Sequence, residues 1–444
     1  MIDYIYRFWY WITGFSIKVI SLFVSLILLV GIGFFVVVDN GLERGGNVSG
    51  GEERSNSSNF NWKDNEFVIW HDGRDDQLAD ILKLSKSFTG VLKVKSVSFD
   101  SVSELEDSLA SLKGDSKGPD LVIGDSSLKR FINEGVLTML DEGKLGIALK
   151  RSDYSEKVLF SSTENFKFLG APLNVDFPLF FYNKDLYGNE PPRSIDDLAN
   201  WYLNNYEKYK GLCIEYPSWG GQSFVSSLGG APWVDESGIA EKIGVGVGGD
   251  TFSNNFLRLV NVGDGKFVNG LISGECFKKF DEGEYAFLLT ISPRIADFND
   301  IKWGVAAFPS GSSVGSPFIS SSLVFTGNSA YTGQRALIAG KFIEWLSSKD
   351  GQTDIAKSSY FIPARIDSLK ALDGGLKVAE SIINTGLVER EEILNDLEWF
   401  TFTEKLFAIA QSKFIEDREK SLSNLINDFS TRVAGYGKKS KAKG

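Results

Sequence analysis

The chain has 444 residues, of which 43% are hydrophobic and 24% charged, and a formal net charge of −11. That length holds two or three domain cores of roughly 100–200 residues each. The acidic balance excludes the basic face that a nucleic-acid partner needs, and two cysteines with one histidine exclude a standard structural zinc site.

Val19–Val38 is an uncharged apolar run of 20 residues. At about 1.5 Å per residue it matches the roughly 30 Å hydrocarbon core of a membrane. Arg7 and Lys18 precede it, and Asp39 and Glu43 follow, which orients residues 1–18 toward the cytoplasm. Tyr4, Tyr6, Phe8, Trp9, Tyr10 and Trp11 suit an interfacial belt on that side. The competing reading is a cleaved signal peptide; against it stand the length of the run and the lack of a small-x-small site after it. Residues 39–63, rich in Gly, Ser and Asn, read as a flexible tether, so the folded body starts near Asp64 outside the cytoplasm. Residues 438–444 form a short basic tail.

The body opens on the strand Phe67–Trp70. Leu78, Ile81, Leu82 and Phe88 follow at helical spacing, then Leu92–Phe99 alternates like a half-buried strand. Leu105, Leu109 and Leu112 mark one face of a second helix over Glu104–Lys113. Gly118-Pro119-Asp120 then introduces the short apolar strand Leu121–Ile123. Strand and helix alternating at this spacing predict a parallel sheet with right-handed crossovers.

Gly135-Val136-Leu137 follows the next helix, and an apolar strand, Phe177–Tyr182, leads into Asn183-Lys184-Asp185-Leu186. Farther on stand Phe280–Ala286 (FDEGEYA), Gly304–Pro309 (GVAAFP) and Gln334–Leu346 (QRALIAGKFIEWL). In order and spacing these motifs resemble extracytoplasmic solute-binding proteins of the maltose-binding type, over about Asn65 to Val433. The resemblance implies an α/β, two-lobed periplasmic-binding-protein fold with a hinge between the lobes, here preceded by one N-terminal transmembrane helix. Lobe one is then expected at 64–174 plus 317–359, and lobe two at 175–316 plus 360–437. Gly170–Leu198 spans the first crossing, where the family's cleft lies.

The resemblance also implies ligand contacts. The loop after the first strand supplies His71, Asp72 and Arg74, and the loop after the third strand supplies Asp125 and Ser126. Asp176 sits in the hinge, and Tyr216 and Trp219 follow a lobe-two strand. Arg294 follows another, and Trp399 and Phe400 lie on a C-terminal helix. Arg294 stands where maltodextrin binders carry an aromatic platform, which leaves room for a charged or phosphorylated sugar as well as neutral hydroxyls. Cys213 and Cys276 can pair outside the cytoplasm if their Cα atoms approach within about 7 Å; two buried thiols are the alternative.

Other chemistry is weaker. Gly124-Asp125-Ser126 resembles a GDSL-type esterase, but such an enzyme needs a histidine base near its C-terminus, and the one histidine is His71. Gly244–Gly249 lacks the preceding strand of a phosphate cradle. Asp72, Asp75 and Asp76 lack calcium-loop spacing. Paired carboxylates for glycoside hydrolysis fall in no motif. The expected function is the membrane-anchored substrate-binding component of an ABC importer. It would capture a sugar or oligosaccharide and pass it to permease subunits, with no cofactor and no chemistry on the ligand. A ligand-sensing receptor with a membrane signalling partner is the runner-up, and a cell-surface hydrolase comes third.

Overall fold

The computed structural model describes residues 66–72, 93–99, 101–112, 118–215, 219–230, 232–234, 240–243, 250–270, 275–292, 295, 298–299, 301–309, 319–372, 374–385, 396–412 and 414–441. The apolar run 19–38, the linker 39–63, the helix expected at 78–88, the glycines of 244–249, and Arg74, Tyr216 and Arg294 lie outside them. No helix among the described residues is long and apolar enough to cross a membrane.

The first sheet runs in the order Ile362–Pro363, Ala171–Asp176, Ser320–Gly327, Leu121–Asp125, Glu66–His71, Lys93–Ser98, with Leu137–Thr138 also paired to Ser320–Gly327. Glu66–His71 is parallel to both of its neighbours, as the strand–helix alternation predicts. Phe67 and Ile69 enter one core and Val68 and Trp70 the opposite one, because side chains alternate across a strand. Burial on both faces is why the sequence there reads as an unbroken apolar run. The helix Val102–Ser111 covers one face with Leu105 and Leu109, and its N-cap Ser101 accepts from the Glu104 N–H at 3.2 Å. The helix Gly333–Leu346 covers the other face with Ile338, Phe342, Ile343 and Leu346.

The second sheet runs Val268–Gly270, Lys210–Ile214, Tyr285–Thr290, Leu179–Asn183, Trp303–Ala306. Here too a two-sided pattern appears: Phe181 and Leu288 face one core, Phe180, Tyr182, Phe287 and Leu289 the other. The second core takes the helix Ile195–Asn205, opened by a capping box of Ser194 and Asp197, and the helices Thr251–Val260, Asp396–Ala410 and Ile415–Lys441. Cys213, on the Lys210–Ile214 strand, is joined by a disulfide to Cys276, on the helix Glu275–Asp281; the Cα atoms lie 5.5 Å apart and both residues are fully buried.

The chain passes from the first sheet to the second across Phe177-Pro178 and returns between Ala306 and Ser320. The resemblance sets the breaks at 174–175 and 359–360. Strand pairing carries the first sheet on to Asp176 and, later, to Pro363, because Ile362 pairs with Val175 and Pro363 with Asn174. Edge pairing of this kind leaves no local trace in sequence.

Arg365, just beyond that edge strand, clamps the first sheet's margin. Its guanidinium donates to both carboxylate oxygens of Asp367 at 2.9 Å, to Asp153 at 2.8 Å and to the Ser347 carbonyl at 3.1 Å. The bidentate bond from Arg365 holds the Asp367 carboxyl below the ordinary aspartate range. A carboxyl whose folded-state pKa is depressed stabilises the fold above its unfolded value, near pH 4, and loses that contribution as pH falls through the folded value. Arg365→Ala is therefore expected to flatten the fall in stability below about pH 4. Urea midpoints measured across that range check it, and parallel curves for the two proteins would refute it.

Candidate binding cleft

In open α/β sheets, ligands bind beyond the carboxyl ends of the parallel strands. In the first sheet that end carries His71 and Asp125; the antiparallel strand Ser320–Gly327 adds Ser320–Ser322, and the strand beyond it adds Asp176, so that Ser322 lies opposite Asp125 and Ser320 opposite Asp176. In the second sheet the same end carries Glu215 and Thr290. Asp176 is three Cα steps from Leu179, so these two Cα atoms are at most about 11 Å apart. Leu179 in turn is the register partner of Thr290. The crossing thus brings the functional ends of both sheets to one place.

On the first wall, Asp125 accepts from the Ser320 hydroxyl and from the Ser127 N–H, the latter at 2.6 Å, and so caps the short helix Ser126–Lys129. Asp176 accepts from Asn174 Nδ2 at 2.9 Å on each oxygen and from Ser322 Oγ at 2.7 Å. Asp72, Asp125, Ser126 and Asp176 are all half-buried, a state that leaves surface for a solute. His71 differs from them. It is only 2% exposed, with Nε2 2.8 Å from Ser96 Oγ, which places it behind the wall.

On the second wall, Glu215 is fully buried and accepts from the Thr290 hydroxyl, while its N–H bonds the Leu289 carbonyl at 3.0 Å. Trp219 begins the helix Trp219–Val225, and Trp399 and Phe400 lie in the first two turns of Asp396–Ala410. Those helices touch at Gly221, where an added Cβ would come within 2.2 Å of Thr403 Cγ2. Only glycine admits this approach, which sets the first turn of Trp219–Val225 against the middle of Asp396–Ala410, one turn beyond Trp399. Among the described residues at these strand ends the charged groups are Asp72, Asp125, Asp176 and Glu215, with no Lys or Arg.

The structure brings together Asp125 and Asp176 on one wall and the backbone positions of Trp219, Trp399 and Phe400 on the other side. Reading the sequence missed Glu215, Thr290, Asn174, Ser320 and Ser322. Glu215 had a signal, a carboxylate directly after the apolar run Gly211–Ile214. The others had none, because strand registry alone places them.

The model of the family described as bacterial extracellular solute-binding protein matches residues 88–353. The chain belongs to that family, which places its folded body outside the cytoplasm and makes solute capture its role. Its fold is similar to that of the GacH receptor of Streptomyces glaucescens GLA.O, solved unliganded and with acarbose. The TM-score is 0.63 at 17% identity, over 82% of this chain and 98% of that one. It is similar also to the Thermus thermophilus maltotriose binding protein bound with maltotriose, with a TM-score of 0.62 at 16% identity, over 83% and 100% of the two chains. No curated protein matches the sequence.

Proposed function

We propose that this protein is the substrate-binding component of an ABC importer and captures a sugar or oligosaccharide by closing its two lobes about the Phe177-Pro178 crossing. The observation that carries this reading is the acceptor wall at that crossing, where half-buried Asp125 and Asp176 are each held by hydroxyl or amide donors. Carboxylates presented in this way accept hydrogen bonds from sugar hydroxyls and repel anionic solutes. The likeness to an acarbose receptor and a maltotriose binder supports the same ligand class.

In this reading the half-buried Asp72, Asp125, Ser126 and Asp176 bond hydroxyls, and the buried Glu215 backs the second wall. Tyr216, Trp219, Trp399 and Phe400 offer aromatic faces to pyranose rings, and Arg74 and Arg294 add donors. The lobes are 64–174 plus 317–359 and 175–316 plus 360–437, with 362–363 pairing to 174–175 at the first sheet's edge. Val19–Val38 anchors the body in the membrane beside its permease, which raises the local concentration of the pair. No chemistry is done on the ligand: the one histidine, His71, is engaged with Ser96 behind the wall, away from a general base's duty toward Ser126.

Calorimetric titration with maltotriose and acarbose tests this. Saturable binding by the wild type is expected, weakened roughly ten- to hundredfold in Asp176→Ala through the loss of a charge-assisted hydrogen bond. No carbohydrate binding, together with turnover of an ester substrate, would sink the reading.

A further inference from the structure

Asp176 is the last residue of its strand, and the chain leaves the sheet immediately after it. A carboxylate in that position would ordinarily sample several rotamers, and a ligand that bonds it would bear the entropy of fixing one. Here the carboxylate is held from two sides. Asn174, two residues back and so on the same face of the strand, reaches both oxygens with its amide at 2.9 Å. Ser322, the cross-strand partner of Asn174, reaches Oδ2 at 2.7 Å. Both donors are 1% exposed, so packing fixes them and they cannot themselves serve as the solute's main contact.

The return strand repeats the device. Ser320, two residues before Ser322 and on the same face, donates to Asp125 on the opposite neighbour. Ser321, on the other face, is bonded instead to Ser161 at 2.7 Å. The opening of Ser320–Gly327 therefore lies between the two acids and donates to each.

We infer that Asn174 and Ser322 are positioning residues for solute capture: they hold the Asp176 carboxylate, as an acceptor already aimed, at the point where the chain crosses between lobes. The inference rests on the carbohydrate-capture reading. It also assigns the site's preference, since a carboxylate held by two fixed donor groups, with lone pairs left over, accepts from hydroxyl- or amine-bearing solutes and repels anionic ones.

The test is a thermodynamic cycle on the full chain, with maltotriose and acarbose as probes. Asn174→Ala and Ser322→Ala are each expected to raise the Kd about tenfold in the wild-type background. In an Asp176→Ala background they should leave the Kd unchanged, while any loss in Tm stays the same in both backgrounds. Ser161→Ala removes the neighbouring bond to Ser321 and should not move the Kd. The inference is overturned if Asn174→Ala or Ser322→Ala still weakens binding by the same factor without Asp176, or if neither changes the Kd. Ser322→Ala, the smaller truncation, decides the matter if Asn174→Ala does not fold. A wild type that binds neither maltotriose nor acarbose removes the carbohydrate reading, and the inference falls with it.

Discussion

Replacing Cys213 and Cys276 together with alanine is expected to lower the unfolding free energy by about 4 kcal/mol. The bond closes a loop with a sequence separation of 63, and the chain-entropy estimate for a loop of that size gives about 4 kcal/mol at 25 °C. Both half-cystines are fully buried in the core that backs the second sheet, so truncation to alanine adds a small packing loss. The consequence reaches the cleft, because Cys213 is two residues before Glu215 on the strand that ends at the second wall. Urea unfolding followed by far-ultraviolet circular dichroism checks the magnitude, and the reduced wild type should shift in the same direction. An unchanged midpoint in the double variant would refute the estimate. An extracellular solute-binding protein folds where such a bond persists.

Arg335→Ala should cost about 3 kcal/mol, the low end of the range for removing one partner of a buried ion pair, because Asp120 is buried while the Arg335 side chain is 20% exposed. Asp120 is 1% exposed and its carboxylate accepts from the Val68 N–H at 2.8 Å, from Ser329 Oγ at 2.7 Å and from Arg335 Nη1 at 2.5 Å. Its own N–H bonds the Val68 carbonyl at 2.8 Å. One side chain thus joins the start of the Leu121–Asp125 strand, the middle of Glu66–His71 and the first turn of Gly333–Leu346. Without Arg335 a buried negative charge loses its countercharge. The double variant Asp120→Asn/Arg335→Ala leaves no charge to compensate and should be less than half as destabilised. Equal losses in the single and double variants would show that packing, and not charge, sets the cost.

That second network explains a motif that the sequence presents without its reason. Gly118-Pro119-Asp120 ahead of an apolar run is visible as a pattern, and the pattern helped to suggest the fold. Why aspartate stands there depends on Arg335, 215 residues away, and on a backbone N–H of a different strand. The candidate site divides in the same way. Asp125 and Asp176 entered as candidates through the resemblance, one in the loop after the third strand and one in the hinge, and the structure sets each at the end of a strand. His71 follows the same rule, yet it is buried against Ser96, because the parallel pairing of its strand with Lys93–Ser98 brings that hydroxyl to the ring. Glu215 was passed over for its aromatic neighbours Tyr216 and Trp219, although it is the residue that meets Thr290.

The sequence by itself marked the strands at Phe67–Trp70, Leu92–Phe99 and Leu121–Ile123 and the helix at Glu104–Lys113, since periods of two and of about 3.6 are written in neighbouring residues. It marked Leu121–Ile123 as a short apolar strand, and indicated the parallel start of the first sheet from the alternation of strand and helix. Only the tertiary structure decided that Ser320–Gly327 inserts antiparallel between Leu121–Asp125 and Ala171–Asp176. It alone joined Cys213 to Cys276 and set Ser320 on Asp125 and Ser322 on Asp176 across 195 and 146 residues of chain. The physical reason is range. Local side-chain pattern specifies which face of an element is buried, whereas a hydrogen bond between distant strands exists only once the intervening core has packed and fixed their register.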